Sequence, residues 1–321
     1  MLLSRVAENL YWGARYLERA EDTARIIRSY SEAMVDLPMS VGTSWEPLLA
    51  ITGSRSTFDL QQDRADEATI VRFLVADDAH SGSVVMSISQ ARENLRSTRE
   101  VMPRDGWRVV NDLYLFAQAH RHDGVGRRSR GRFLERVVAD ARRVDGILAA
   151  TMSRDAAYEF LRLGQAIERA DMTTRVLGVR AAALMASTDG ADEHAEVQWM
   201  SMLASLSARQ MYHRSTREAV NGPAVVRFLL LDETFPRSVM ACLRRVTTGL
   251  EHLPRGDEVL PAVAGAEAEL LLVDPADIDG KSLDAAMDAV QLALDALHDH
   301  LTSTYLCPPM VQQQQQVQQQ G

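Results

Sequence analysis

The sequence predicts an all-α protein, a helical bundle built from two related multi-helix halves. Apolar residues recur at spacings of three and four along most of the chain, as in helices that bury one face. No stretch alternates apolar and polar residues as a half-buried strand would. No strand–glycine-rich–helix unit is found either, which sets aside the nucleotide-binding α/β folds. A third observation is that a run of residues near the start returns half a chain later.

That run is Glu18-Arg19-Ala20-Glu21-Asp22-Thr23-Ala24-Arg25, answered at an offset of 150 by Glu168-Arg169-Ala170-Asp171-Met172-Thr173-Thr174-Arg175. Trp45 is answered by Trp199 at 154, and Val71-Arg72-Phe73-Leu74 by Val226-Arg227-Phe228-Leu229 at 155. The last register also pairs Asp77-Asp78 with Asp232-Glu233 and Ser83-Val84 with Ser238-Val239. Ordered matches with a slowly growing offset indicate an internal duplication. Its period is far longer than the roughly 20–50 residues of a solenoid repeat, so each half is itself a multi-helix unit. The expected organisation is a first half over 1–150, a second over 151–305 packed with it as one body, and a disordered Gln-rich tail over 306–321.

In chain order, Val6, Leu10, Gly13, Leu17, Ala20, Ala24 and Ile27 make the apolar stripe of the first helix, with Ser4 as its N-cap. Ala156, Phe160, Leu163, Ile167, Ala170, Thr174 and Leu177 repeat it, with Ser153 as cap. The same periodicity predicts helices over 83–99, 107–119, 133–148, 199–212, 238–250, 262–272 and 283–305. Pro and Gly clusters such as Met102-Pro103-Arg104-Asp105-Gly106 and Asn221-Gly222-Pro223 punctuate them. Small residues at Gly13, Ala14 and Gly164 would let the repeated helices approach closely where they meet.

The chain has 321 residues, with 35 Lys+Arg against 44 Asp+Glu and a formal net charge of −9. Hydrophobic residues at 46% and charged residues at 25% suit a packed core and exclude wholesale disorder. A net-negative chain argues against binding the nucleic-acid backbone, which takes clustered cations. Apart from Lys281 every basic residue is Arg, a planar fork suited to carboxylates and phosphates. Cys242 and Cys307 are too few for a disulfide framework or a cysteine zinc site. No uncharged apolar run approaches the ~18 residues of a membrane span, and the N-terminus lacks a signal-peptide core. The expected location is the cytoplasm, with no membrane association.

The residues that could carry chemistry lie on the repeated helices. With ~100° between successive residues, Glu21 falls about 70° from the centre of its stripe, Arg25 about 110° and Glu18 about 130°. Glu21 and Arg25 stand one turn apart in the favourable acid-before-base order. Asp171, Arg175 and Glu168 repeat the arrangement, and Tyr11 shares the flank. If the helices face each other, these acids and guanidiniums converge. Three readings follow: an ion-pair network at a helix–helix seam, a site for a polar or peptidic ligand with Arg gripping a carboxylate and Glu or Asp an amine, or a dimetal carboxylate site. The last lacks the Glu-x-x-His of ferritin-like centres, and Arg25 and Arg175 oppose a cation, so no metal or other cofactor is assigned. Arg92, Arg96 and Arg99 make a second, cationic face, read either as an anion site or as a solvated face relieved by Glu93, Glu100 and Asp105. The histidines form no ligand pattern, and no nucleophile elbow, P-loop or HExxH is present.

Ser4-Arg5-Val6-Ala7-Glu8-Asn9-Leu10-Tyr11-Trp12, continuing through Arg15-Tyr16-Leu17-Glu18-Arg19-Ala20-Glu21 to Thr23-Ala24-Arg25, resembles the opening signature of the bacterial alpha-E family. Val71-Arg72-Phe73-Leu74, Ala91-Arg92-Glu93-Asn94 and Leu161-Arg162-Leu163-Gly164 extend the resemblance, which spans about residues 1–305. It implies an all-helical protein encoded beside, or fused to, a circularly permuted ATP-grasp ligase-like protein, often with a transglutaminase-like protease homologue. Carried onto this chain, the family's motif residues are Glu8, Glu18, Glu21, Arg25, Glu168, Asp171 and Arg175, with Tyr11 and Arg15 beside them. Gly13-Ala14-Arg15 departs from the family's Gly-Arg pair, and Asp171 stands where a strict repeat would give Glu. The function expected is an accessory or substrate-binding protein acting with an amide ligase in peptide synthesis or modification, with a peptide or amino-acid ligand. The alternatives are an enzyme using the carboxylates as metal ligands or as a general acid and base, and a purely structural scaffold.

Overall fold

The computed structural model describes residues 2–36, 44–186, 195–216, 219–276 and 279–306. The Gln-rich tail, Cys307 and His194 lie outside the described residues. Ser4–Asp36 forms α1, Pro47–Ile51 α2, Arg55–Gln61 α3, Glu67–Ala76 α4, Val84–Ser97 α5, Arg104–Ala119 α6, Arg121–Val125 α7 and Arg130–Thr151 α8. Ala156–Val176 forms α9, Ala182–Ala186 α10, Ala195–Ser205 α11, Arg209–Ser215 α12, Gly222–Leu231 α13, Val239–Glu251 α14, Leu260–Leu271 α15 and Gly280–Leu301 α16. The fold is all-α, with no strand among the described residues. None of its described helices is long and apolar enough to cross a membrane.

Local chemistry sets the boundaries. Ser83 and Ser238 cap α5 and α14 by accepting from the amides of Met86 and Ala241. Each preceding loop folds back so that the capping hydroxyl also donates to a carbonyl, of Asp77 in one case and Asp232 in the other. The tight turns after α2 and α11 also share a pattern. Gly53 and Ser207 both take positive φ, at 63° and 54°, and the next amide donates back to Leu49 and Leu203 respectively. Ser207 therefore interrupts the helix predicted over 199–212, which becomes α11 and α12. Two caps differ from expectation. The first accepting carbonyl of α1 belongs to Leu3, which puts Ser4 inside the helix. Asp155, not Ser153, caps α9, its carboxylate taking the amides of Ala157 and Tyr158, a charge-assisted cap that a hydroxyl two residues earlier cannot match.

Two long helices form the axis. α1 packs against α5, α8, α9 and α11, while α9 packs against α1, α14 and α16. Both are therefore enclosed on several sides, and Leu10, Ile26, Ile27, Leu163, Ile167 and Val176 belong to one continuous core. Glycines decide how closely the axis helices approach their neighbours. A Cβ on Gly164 would sit 2.2 Å from the Tyr11 carbonyl oxygen, so α9 touches the backbone of α1 there. Gly13 serves a different contact from the one expected, since it accepts Leu95 of α5 rather than α9. At the α9–α14 contact the roles invert, with Leu163 of α9 against Gly249 of α14.

Gly164→Ala should therefore force α1 and α9 apart and lower stability by about 2–3 kcal/mol, as overpacking at a backbone contact does. Urea denaturation checks this; a stability equal to that of the parent would contradict the close contact.

Candidate functional site

α1 and α9 cross where each carries Glu-Arg. Glu18 accepts from Arg169 Nε at 2.8 Å and from Gln165 Nε2 at 2.9 Å. Glu168 accepts from Arg19 Nε at 2.5 Å and from Arg15 Nε at 2.7 Å. Residues 15 and 19 thus stand to 168 as residues 165 and 169 stand to 18, and each helix pins the other through the same positions. Glu18 is 3% exposed and Glu168 1%, so neither can keep its charge without these partners. Burial works against both charges, but Arg169 and Arg237 outweigh it at Glu18, and Arg19 and Arg15 at Glu168. Both carboxyls are held below the usual range.

Beyond this shared pair the two ends of the seam differ. At the first, Arg237 enters from the loop ahead of α14. Its Nη1 reaches Glu18 at 2.7 Å and Asp22 at 2.8 Å, and its Nη2 reaches both oxygens of Glu21 at 3.0 Å. Arg25 bridges Asp22, and Arg142 of α8 bridges Glu21 at 3.0 Å. Burial pushes the Asp22 carboxyl up to about 6, since three carboxylates share this enclosed space. Glu18, Glu21, Asp22 and Arg25 are each at most 3% exposed, and a cavity of about 30 Å³, room for a single water, lies beside Glu18 and Glu21 toward α5, α8 and α9. This end is sealed.

The second end is open. A cleft of about 330 Å³ runs between Arg19 and Thr23 on α1, Glu168, Asp171 and Arg175 on α9, and the loops ahead of α3 and α5. Arg175 donates through Nε to Asp171 at 2.8 Å. Its Nη1 rests against Gly53, where a Cβ would come within 2.8 Å. Burial pushes the Asp171 carboxyl upward, opposed by Arg175. His80 lines the same cleft, stacked on Phe73 at 4.2 Å between centroids. It is 8% exposed, its Nε2 has no hydrogen-bond partner among the described residues, and burial lowers its pKa.

The structure brings Glu18, Glu21, Arg25, Glu168, Asp171, Arg175 and Arg15 into this seam, with two corrections to the sequence reading. Arg25 pairs with Asp22 and not with Glu21, because Arg237 and Arg142 occupy Glu21. Glu18, placed furthest from the apolar stripe, is among the most buried, because α1 is covered on that side by α9. Tyr11 is fully buried and hydrogen-bonds His298 Nδ1 at 2.7 Å, and burial pushes its hydroxyl up to about 12. Glu8 stands half-buried two turns before the seam. The Arg92, Arg96 and Arg99 face is not part of it: Glu93 bridges Arg92 and Arg96, Arg92 lies over Tyr114, and Arg99 is exposed. Among the described residues no group of three or more His, Cys, Asp or Glu side chains is placed to hold a metal ion. Arg237, Arg169, Arg142, Asp22 and His80 were missed as seam or cleft residues, although position 237 directly precedes the repeated Ser238-Val239 pair.

An all-helical body organised around paired Glu-Arg helices is the class this geometry defines. The sequence signature of Alpha-E, described as a predicted alpha-helical domain with a conserved ER motif, matches residues 2–306, and the chain belongs to that family. It is similar to an uncharacterized protein of Mycobacterium bovis, 24% identical over 340 residues, and equally to two from Mycobacterium tuberculosis. Each match covers 95% of this chain and 37% of the relative, so the chain spans little more than a third of the length of these relatives. No solved structure matches.

The pKa directions give the seam a pH signature. Glu18 and Glu168 contribute stability above the ordinary carboxyl value of 4.5 that drains away as pH falls through their lowered values. Asp22 works the other way, because its penalty is full above about 6 and is relieved as it takes up a proton on acidification. The urea midpoint of the parent relative to that of Asp22→Asn should rise as pH is lowered from about 7 to 5, a comparison that cancels the opposing loss from His80 and His298, whose pKa burial lowers, and both midpoints should fall below about 4.5. A steady decline of that difference from pH 7 downwards would contradict this.

Proposed function

We propose that this chain is an accessory, ligand-holding protein that serves an ATP-grasp-type amide ligase, presenting a peptide or amino-acid group at the open end of the Glu-Arg seam. The observation that carries this reading is the difference between the two ends. The same ionic frame is closed by Arg237 on one side, while on the other it lines a cleft of about 330 Å³ with Asp171 and Arg175 side by side. A carboxylate and a guanidinium held together at a rigid helix crossing match the ends of an amino acid or peptide, the acid for an amine and the Arg fork for a carboxylate. The ligase partner comes from the company that the family keeps, with a transglutaminase-like protein as a further candidate.

The location of Asp171 and His80 in one cleft favours a second reading, general acid–base catalysis by the chain itself, because burial shifts both groups away from their ordinary pKa values.

Co-purification with an ATP-grasp-type ligase from the same organism, and ligase turnover with and without this chain, separate the two. The accessory role predicts association at micromolar concentration and faster turnover that Arg175→Gln diminishes. Absence of both association and any effect on turnover would remove it, and product formation by the chain alone would favour catalysis.

A further inference from the structure

Position-by-position comparison of the two ends defines what the open cleft takes up. In the register that aligns Ser83 with Ser238, Gly82 stands where the second half has Arg237, and His80 stands where it has Phe235. Phe235 stacks on Phe228 at 4.9 Å much as His80 stacks on Phe73 at 4.2 Å, so the two loops present these residues alike. Thr173 donates its hydroxyl to the Arg237 carbonyl at 2.9 Å, whereas its counterpart Thr23 lines the cleft. The open end thus lacks the plug and carries a buried imidazole in place of a phenyl ring.

The charges differ in the same systematic way. At the sealed end Glu18, Glu21 and Asp22 face Arg169 and Arg25 with Gln165 neutral, Arg237 spans all three acids, and the half-exposed Arg142 adds a further guanidinium at Glu21. At the open end the corresponding positions are Glu168, Asp171 and Met172 facing Arg15, Arg19 and Arg175. Glu168 is saturated by Arg15 and Arg19, and Asp171 takes one nitrogen of Arg175 on Oδ1. One positive charge remains, and it sits on the Arg175 guanidinium, which is 30% exposed and held in place by Asp171 and the Gly53 turn.

We infer that the cleft is a binding site for an oxyanion, the carboxylate or phosphate group of a ligand, received by the outer nitrogens of Arg175, by His80 Nε2 and by the hydroxyls of Thr23 and Thr57. Thr57 lines the same cleft, whereas the Ser54 hydroxyl is taken by Thr52. A partly exposed Arg fork with neighbouring hydroxyls and an unpaired imidazole nitrogen is the donor set that an oxyanion needs. A ligand carrying a cation and no oxyanion would instead add to an existing excess of positive charge, whereas the amine of an amino acid bound through its carboxylate still finds Asp171. This names the ligand chemistry of the ligand-holding reading and rests on it, but not on the identity of any ligase.

The test is calorimetric titration of the full chain with inorganic phosphate and, separately, with acetate, at ionic strength held constant with chloride. Saturable binding of one equivalent of either probe is expected; preference for phosphate or for acetate identifies the source of the group. Arg175→Gln should weaken binding at least about tenfold, the cost of a lost charge-assisted bond. His80→Phe copies the residue of the other half, so it should fold as the parent does and still lose affinity. Failure of both probes to saturate, or unchanged affinity in both variants with circular dichroism confirming their fold, overturns the inference. Anion binding without ligase association would remove only the ligase half of the proposed function, and ligase association without anion binding would remove only this inference.

Discussion

Two carboxylates buried at a helix crossing are the constraint on which the rest of the molecule depends. Glu18 and Glu168 are almost wholly buried, and a buried carboxylate without partners costs several kcal/mol. Each is satisfied by the helix that carries the other, so neither α1 nor α9 can be placed without its counterpart. Gly164 then allows the backbones to touch, and the remaining helices wrap this axis. An apolar seam would tolerate sliding between rotamers and registers. A reciprocal set of forks and carboxylates has one alignment in which every charge is met, which fixes the register of the crossing.

Function enters through the departure from that symmetry. The frame is common to both ends, but a loop residue decides whether each is filled. Arg237 completes the acid-rich end with the chain's own guanidinium, and Gly82 leaves the other end open beside the partly exposed Arg175, where the proposed ligand would sit. Stability and binding are thereby separated. Removing a carboxylate from the frame disturbs the crossing, whereas Arg175 and His80 stand at its edge, where selection can act on a ligand without unmaking the fold.

Much of the fold was legible in the sequence because α-helices announce themselves by apolar spacing, and the long members α1, α5, α6, α8, α9, α14, α15 and α16 carry it. The short members α2, α3, α7 and α12 have too few turns to show a period, and α4 and α13 were noticed only as the matching Val-Arg-Phe-Leu runs. The seam's acids and arginines were legible from the matching runs, but their pairing was not. A wheel built on one apolar stripe supposes a single buried face, and α1 has buried residues almost all round from Leu17 to Ile27. Local spacing therefore favoured Glu21 with Arg25, while the structure joins Glu21 to Arg237, 216 residues away. Long-range partners such as Arg237 and Arg142 leave no local periodic trace.

The reciprocal bridge is tested most directly by a double-mutant cycle on Glu18 and Arg169, with Glu18→Gln, Arg169→Gln and the pair measured by urea denaturation at pH 7. A coupling energy of about 2 kcal/mol or more is expected for a buried, charge-assisted pair. A coupling near zero, with the single-variant losses simply adding, would contradict the claim that this exchange holds the two helices in register.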